Sequence, residues 1–215
     1  MTTVSASILS ADFLSLETSI RAMDLAGIDS FHLDVMDGHF VPNLSFGPDI
    51  IRAVSTITKK PLFTHLMIHK PWQSFDLYCH PYITGIWVHA EAYTDKYRLN
   101  TLERDLTHIH ARGIQAGIVL NMKTTVASVQ PVLALCDQVL LMSVEPGYAS
   151  QAFMPAVIPK VAELAGQYTG RISVDGGVNA QHAPALIAAG ATDLISASYL
   201  FKAPQYNRAI KSLKA

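Results

Sequence analysis

The chain has 215 residues, of which 50% are hydrophobic and 15% are charged, against about 25% charged in an average soluble domain. Sixteen basic and seventeen acidic residues nearly cancel, which argues against a global field that would attract nucleic acid or an anionic membrane. A chain with so little charge must bury much of its surface, either in a parallel sheet covered on both faces or in contacts between subunits.

Short apolar segments alternate with amphipathic helical patterns along the whole chain. Strands are predicted over residues 4–9, 31–36, 61–67, 84–90, 114–121, 138–144, 171–175 and 192–198. Helices are predicted over residues 13–26, 48–55, 72–79, 98–112, 125–135, 154–167, 180–189 and 203–213. Strands that are each followed by a helix predict a single (β/α)8 TIM barrel over residues 1–215. The alternative is an open doubly wound sheet, but the first turn, "LSADFL", contains no glycine where that fold has a glycine-rich turn.

Polar residues fall at the ends of several predicted strands, where TIM barrels have their active sites. His32 and Asp34 are two residues apart in "FHLDVM", so on a strand they point the same way. His65 and Asp175 lie on other strands and could reach the same axis. Two imidazoles and two carboxylates suit a divalent ion such as zinc, iron, manganese or cobalt. The alternative is four polar residues that are satisfied separately.

Seven blocks of the sequence together resemble the ribulose-phosphate 3-epimerase family. They are "ASILSADFLSLE", "HLDVMDGHFVPNLSFGP", "HLM", "HAE", "LLMSVEPG", "ISVDGGV" and "AAGATDLISAS". They occur in the family's order along nearly the whole chain. The resemblance implies a barrel of the ribulose-phosphate binding type. The implied activity is interconversion of ribulose 5-phosphate and xylulose 5-phosphate by moving a proton at carbon 3.

The resemblance also implies roles for individual residues. His32, Asp34, His65 and Asp175 would hold the metal, and Asp34 and Asp175 would be the acid–base pair on opposite faces of the sugar. The implied substrate contacts are Ser7, Met36, Met67, Met142, Gly147, Gly176, Gly177 and Ser198. Removing a proton next to a ketone develops negative charge on oxygen, which a metal stabilises. Two aspartates supply base and acid if one is ionised and the other protonated.

The phosphate region departs from the family pattern. The chain reads "PGYASQ" where the family usually has "PGFGGQ", so Ala149 and Ser150 replace two glycines. Ala197 likewise replaces a glycine before Ser198. A β-carbon hinders close backbone approach and positive φ. Two interpretations remain open: a changed substrate, such as allulose 6-phosphate or a tetrulose phosphate, and tolerated drift. Lys202 is expected to be a surface lysine.

Other polar residues are assigned more ordinary roles. Asp37, Gly38 and His39 are predicted to form a turn beside the site. His89 and Glu91 are expected either in the site or in bonds behind it. Five further histidines are expected on the surface or in packing: His69, His80, His108, His110 and His182.

Two other functions are considered. A decarboxylase or aldolase would use a lysine inside the barrel, and the predicted strand ends carry none. A non-catalytic sugar-phosphate sensor would explain the altered glycines, but the retained acid pair argues against it.

The remaining expectations concern compartment and assembly. Cys79 and Cys136 lie far apart and are predicted to be buried free thiols in a reducing compartment. The N-terminus does not resemble a secretory signal, and no apolar run approaches the about 18 residues of a membrane helix. We therefore expect a cytoplasmic protein that binds a small ketose phosphate and neither nucleic acid nor membrane. Low charge and the family's habit of association suggest a homo-oligomer.

Overall fold

The computed structural model describes residues 2–94 and 96–214 and contains a closed barrel of parallel strands in sequence order. The strands are β1 Thr3–Ser7, β2 Ser30–Met36, β3 Leu62–Met67, β4 Gly85–His89, β5 Gln115–Leu120, β6 Gln138–Met142, β7 Arg171–Asp175 and β8 Asp193–Ser196. Each strand pairs with the next, and β8 pairs with β1, with Thr3 opposite Asp193. The predicted (β/α)8 barrel is confirmed.

Helices cover the outside of the barrel. They are α1 Leu16–Leu25, α2 Pro48–Ile57, α3 Phe75–Tyr78, α4 Arg98–Ala111, α5 Val157–Ala165, α6 Ala183–Ala188, α7 Ser198–Phe201 and α8 Tyr206–Leu213. Five further segments form 3-10 helix: Ile8–Ser10, Phe13–Ser15, Pro71–Gln73, Ala90–Ala92 and Val126–Leu135. Among the described residues, no helix combines the length and apolarity that crossing a bilayer requires.

Several predicted boundaries are wrong. The first strand ends at Ser7, whose hydroxyl accepts a bond from the Leu9 amide at 3.4 Å and begins a 3-10 turn. The last strand ends at Ser196, and Ser198 is the first residue of α7. The fifth crossover is 3-10 helix and contains Pro131, a residue that lacks the amide proton an α-helix needs.

Apolar residues pack on both faces of the barrel wall. The outer core packs strand residues such as Phe31, Leu33 and Val35 against the helices, as the alternation in β2 predicts. The inner core lies inside the barrel and includes Phe63, Trp87, Val119, Leu140, Met142, Val144 and Ile195. The ring of Trp87 meets that of Phe63 edge-on, with centroids 4.4 Å apart. This inner core is the apolar floor beneath the C-terminal ends of the strands.

A buried polar layer occupies the N-terminal end of the barrel. Asp193 is 1% exposed and pairs with Arg171 at 2.7 Å. Its carboxylate also accepts hydrogen bonds from Ser5 at 3.0 Å and Ser173 at 2.9 Å. A buried carboxylate with this many donors is fully compensated. This layer is not among the features predicted from the sequence.

Both cysteines are free thiols. Cys136 is buried as predicted, and burial raises the pKa of its thiol to about 12. Cys79 is half-buried, so the prediction of two buried thiols is wrong for this residue. It lies directly after α3, a helix of four residues that covers little surface.

The packing of the apolar floor requires a residue without a β-carbon at Gly117. A β-carbon there would lie 2.6 Å from the Gln138 carbonyl oxygen and 2.9 Å from Trp87 Cδ1. Gly117→Ala should therefore lower the free energy of unfolding by about 1–3 kcal/mol, the usual effect of overpacking a core. Urea unfolding measures this change.

Gly166→Ala is the matched control. Gly166 ends α5 at φ −72°, and the nearest atom to an added β-carbon is at 3.5 Å. This variant should be neutral or slightly stabilising. Equal effects of the two substitutions would contradict the packing argument.

Candidate active site

Four ionisable side chains converge above the apolar floor: His32, Asp34, His65 and Asp175. One ligand atom from each lies within 4.8 Å of all the others. His32 Nε2 lies 3.2 Å from Asp34 Oδ1 and 3.7 Å from Asp175 Oδ2. His65 Nδ1 lies 3.0 Å from Asp34 Oδ1 and 4.0 Å from Asp175 Oδ2. Lone pairs of two imidazoles and two carboxylates that point at one place fit a divalent cation.

The strand geometry explains why these groups meet. His32 and Asp34 alternate with apolar residues on β2, so both face the barrel interior. Asp34 is the register partner of His65 on β3. Asp175 is the last residue of β7, across the barrel. Asp175 is the most accessible of the four, with 13% of its side chain exposed.

The two aspartates have opposite ionisation preferences. Burial opposes ionisation of Asp34, but the charge and hydrogen bond of His32, together with the nearby His65, outweigh burial and hold the pKa of Asp34 well below its usual range. Burial, reinforced by the charge of Asp34, raises the pKa of Asp175 to about 7.

The two histidines also differ. Burial lowers the pKa of His65 to about 3. Burial also opposes protonation of His32, but the Asp34 and Asp175 charges outweigh it and raise the pKa of His32. The two neighbouring imidazoles therefore differ in basicity, with His32 holding a proton more readily than His65.

A cavity of about 330 Å³ opens beside this cluster and is lined by Asp34 and Asp175. Its lining contains all eight residues that the sequence analysis assigns to substrate contact: Ser7, Met36, Met67, Met142, Gly147, Gly176, Gly177 and Ser198. Their contact with a substrate stays a prediction. The Ser7 hydroxyl donates to Asp34 Oδ2 at 2.5 Å, so Ser7 also orients the carboxylate.

Three glycines shape the far end of the cavity. Gly147, Gly176 and Gly177 have φ of 119°, 114° and 64°, a region that glycine enters without strain. A β-carbon on Gly177 would lie 2.7 Å from the Phe153 amide nitrogen. The backbone after β7 therefore packs directly against the segment after β6.

The altered segment after β6 keeps a glycine-like backbone. Ser150 has φ 61°, so it takes the left-handed conformation that the sequence analysis expects its β-carbon to hinder. The Gln151 side chain holds the turn by donating to the carbonyls of Glu145 at 2.6 Å and Tyr148 at 2.9 Å. Tyr148, Ala149, Ser150, Ala197 and Lys202 all line the cavity. The Lys202 side chain is exposed.

His89 and Glu91 lie behind the cluster. His89 Nε2 is 2.8 Å from His65 Nε2, and His89 Nδ1 is 3.1 Å from Glu91 Oε2. The Asn121 amide donates to Glu91 Oε1 at 2.9 Å. Burial opposes ionisation of Glu91, but the hydrogen bond and charge of His89 outweigh it and lower the pKa of Glu91. Of the two placements expected for this pair, the structure supports bonds behind the site.

The segment after β2 is a turn, as predicted. The Asp37 carboxylate accepts hydrogen bonds from the amides of His39 and Phe40, both at 2.8 Å, and of His69 at 2.7 Å. Gly38 has φ 71°. Asp37 is therefore occupied with backbone groups.

The five remaining histidines lie on the surface or pack against other rings, as predicted. His69, His108 and His110 are exposed, and His80 stacks on Tyr82. His182 is closer to the site than expected. It stacks on Phe153 with centroids 4.0 Å apart, and its Nδ1 lies 3.2 Å from the Gly177 carbonyl oxygen.

Lys160 is a buried residue that the sequence analysis misses. It lies on α5, is 9% exposed, and donates to the Asn121 carbonyl at 2.6 Å. Burial lowers the pKa of its ammonium group to about 8. The only sequence signal is its position in "VIPKVAELA", one turn from apolar residues on the face that packs inward.

The barrel and its convergent polar cluster define a class of (β/α)8 enzymes with ionisable side chains at the strand ends. Comparison with known proteins places the chain within that class. It belongs to the ribulose-phosphate 3 epimerase family, whose family model matches residues 3–201. The chain is therefore an epimerase, a kind of isomerase. This decides against the decarboxylase and sensor alternatives.

Curated relatives match nearly the whole of this chain. The chain is 40% identical to the ribulose-phosphate 3-epimerase of Synechocystis sp. over 98% of this chain and 92% of that protein. It is 39% identical to the Bacillus subtilis protein of the same name, over 100% and 99%. The chloroplastic ribulose-5-phosphate-3-epimerase of Arabidopsis thaliana is also 39% identical, over 99% of this chain and 76% of that protein.

Solved structures with low sequence identity share the fold. KGPDC from Streptococcus mutans superimposes with a TM-score of 0.72 at 12% identity, covering 100% of this chain and 96% of that chain. A 3-hexulose-6-phosphate synthase gives 0.66 at 18% identity, covering 99% and 98%. At these identities the likeness concerns the barrel alone.

Buried Lys160 makes stability depend on pH in a defined direction. Its pKa is about 8 in the folded chain against an ordinary value of 10.5. Between these values the unfolded chain binds more protons, so stability rises with pH, by at most about 1.4 kcal/mol per unit. Lys160→Met should remove this rise. We expect its free energy of unfolding, measured in urea from pH 7 to 10, to gain less with pH than that of the wild type.

Lys211→Met serves as the control because Lys211 is exposed on α8. It should leave the wild-type pH dependence in place. If the free energies of unfolding of the wild type and Lys160→Met changed with pH in parallel, the lowered pKa of Lys160 would be contradicted.

Proposed function

We propose that the protein interconverts ribulose 5-phosphate and xylulose 5-phosphate by moving the proton at carbon 3, with a divalent cation held in the barrel. The observation that carries the proposal is the cluster of His32, Asp34, His65 and Asp175, whose ligand atoms lie within 4.8 Å of one another. The cluster borders a cavity of about 330 Å³. The names of the relatives support the choice of substrate.

The four-residue cluster would hold a zinc, iron, manganese or cobalt ion. When bound, the ion would supply positive charge against the enediolate oxygens that form as the proton leaves carbon 3. The chain's own part is to keep four donors in place. The Ser7 hydroxyl fixes one oxygen of Asp34 at 2.5 Å, and the Ser45 hydroxyl bonds the Asp34 carbonyl at 2.5 Å.

Asp34 and Asp175 are the proposed proton carriers. Inverting a carbon centre requires a base on one face of the substrate and an acid on the other. Their pKa values shift in opposite directions, with Asp34 well below its usual range and Asp175 at about 7. This supports one ionised and one protonated carboxyl at neutral pH. In the reverse reaction the two residues exchange roles.

Methionines form the apolar part of the cavity wall. Met36 and Met67 are register partners on β2 and β3, and Met142 is the partner of Asp175. All three are at most 5% exposed. We propose that they exclude water from the reacting carbons, which strengthens the electrostatic interactions there.

The phosphate is proposed to bind at the glycine end of the cavity, near Gly147, Gly176, Gly177 and Ser198. The three glycines have no β-carbon to keep the ligand away from the backbone. A second candidate function is epimerisation of another ketose phosphate, such as allulose 6-phosphate or a tetrulose phosphate. The observation in its favour is that Ala149, Ser150 and Ala197 line the same end.

Proton exchange tests the proposed chemistry. The wild type with added metal should exchange deuterium into carbon 3 of ribulose 5-phosphate in heavy water. Asp34→Asn and Asp175→Asn should each lower the exchange rate about 10²- to 10⁴-fold, because each removes a proton carrier. Protein purified without chelator should contain about one equivalent of metal, and Asp175→Asn should lose it.

Asp49→Asn is the control for the loss of a carboxylate, since the Asp49 side chain is 91% exposed on α2. It should exchange as the wild type does. If the wild type exchanges no ketose phosphate with zinc, iron, manganese or cobalt, the proposal fails.

A substrate panel separates the two candidate functions. Ser150 already has the backbone conformation of a glycine, so we expect ribulose 5-phosphate to give the highest kcat/KM. The double variant Ala149→Gly, Ser150→Gly should change kcat/KM for it by less than about tenfold, or about 1.4 kcal/mol. A higher kcat/KM of the wild type for allulose 6-phosphate or a tetrulose phosphate would favour the second candidate.

A further inference from the structure

Three side chains form a hydrogen-bonded line that leads away from the ligand cluster. His65 Nε2 lies 2.8 Å from His89 Nε2, and His89 Nδ1 lies 3.1 Å from Glu91 Oε2. The planes of the two imidazoles are inclined by 26° with centroids 5.0 Å apart, so the two rings meet edge to edge. Both are 0% exposed, and Phe40 covers His89. Each ring nitrogen along this line must therefore find its partner in the protein.

The order of donors along the line follows from its last member. An ionised carboxylate only accepts hydrogen bonds, so His89 Nδ1 must carry the proton that bonds Glu91. A neutral His89 then presents an unprotonated Nε2, which accepts a proton from His65 Nε2. A neutral His65 with its proton on Nε2 has a lone pair on Nδ1, and His32 Nε2 lies 3.2 Å from that nitrogen. That nitrogen is the atom of His65 that faces Asp34 and Asp175.

Glu91 is itself held in a fixed orientation. Its other oxygen, Oε1, accepts the amide of Asn121 at 2.9 Å. A backbone amide can only donate, so this contact cannot reverse. The Asn121 carbonyl is bonded by the buried Lys160 ammonium at 2.6 Å. The end of β5 thus fixes Glu91.

We propose that Glu91 is a positioning residue that, through His89, keeps His65 Nδ1 unprotonated and directed at the cation. The inference rests on the proposed function, because it assumes that a divalent cation binds at the cluster. It assigns to Glu91 and His89 the part that a carboxylate behind a ligating imidazole plays in metal sites, where its loss typically weakens metal binding about 10- to 100-fold.

Glu91→Gln is the informative substitution because it preserves the shape of the side chain and reverses the direction of its hydrogen bond with His89 Nδ1. The amide oxygen must face the Asn121 amide, which can only donate. The NH2 group then faces His89 Nδ1 and donates to it. The proton of His89 moves to Nε2, which donates to His65 Nε2. The remaining proton of His65 is forced onto Nδ1, where it blocks metal binding.

Zinc affinity in a double-variant cycle tests the line. We would measure the Kd for Zn²⁺ by competition with a chromophoric chelator for the wild type, Glu91→Gln, His89→Phe and the double variant. Glu91→Gln should bind about 10- to 100-fold more weakly. In the His89→Phe background the same substitution should change the Kd less than about twofold. Glu103→Gln, at an exposed position on α4, is the control and should bind as the wild type does.

Ring ¹⁵N spectra provide a readout that does not depend on a variant folding. In the Zn²⁺-loaded wild type, His89 should carry its proton on Nδ1 and His65 on Nε2. In metal-free Glu91→Gln the His89 proton should be on Nε2.

Three results would overturn the inference: unchanged zinc affinity in Glu91→Gln, equal losses in both backgrounds, or a wild-type His89 protonated on Nε2. If the wild type binds no Zn²⁺ at all, the proposed metal centre itself fails. That result appears before any variant is compared, so the two failures are distinguishable.

Discussion

The burial of four ionisable groups at one end of the barrel is the constraint on which the rest of the site depends. An unpaired carboxylate inside a protein is destabilising by several kcal/mol. His32 and His65 lie 3.2 and 3.0 Å from the same oxygen of Asp34, so that oxygen is compensated. Asp175 lies farther from the two imidazoles, at 3.7 and 4.0 Å, and burial together with the charge of Asp34 raises its pKa to about 7. A second carboxylate placed in this way favours a proton or a divalent cation in the cluster.

The two ends of the barrel handle buried charge differently. At the N-terminal end, Asp193 has Arg171 and two serine hydroxyls as partners, so its charge is fully compensated within the protein. At the C-terminal end, the side chains of the four-residue cluster face one another around one place. The apolar floor of Phe63 and Trp87 separates the two layers. The polar layer around Asp193 contributes stability, and the four-residue cluster remains available for chemistry.

The sequence predicts well what depends on periodicity along one strand. The alternation of polar and apolar residues in β2 is enough to predict that His32 and Asp34 face the barrel interior. The number and order of the predicted strands are enough to predict the barrel. It predicts poorly what depends on the reach of a side chain between elements. In the sequence, Lys160 resembles a surface lysine. Only the packing of α5 brings its ammonium group to the carbonyl of Asn121, directly after β5. The left-handed conformation of Ser150 is likewise set by the turn around it, against the preference of the residue.

The left-handed conformation of Ser150 also bears on how the segment "PGYASQ" differs from the family pattern. Replacing glycine with serine would be expected to alter the backbone, since non-glycine residues rarely have positive φ. Ser150 has φ 61°, and the two carbonyl bonds from Gln151 hold the turn in place. At Ser150 the backbone path is therefore compatible with glycine, and the difference at this position is an added hydroxymethyl group on the wall of the cavity. Any effect of Ser150 on a molecule bound in the cavity must act through that group's size and hydrogen bonding, at a distance from the cluster of His32, Asp34, His65 and Asp175.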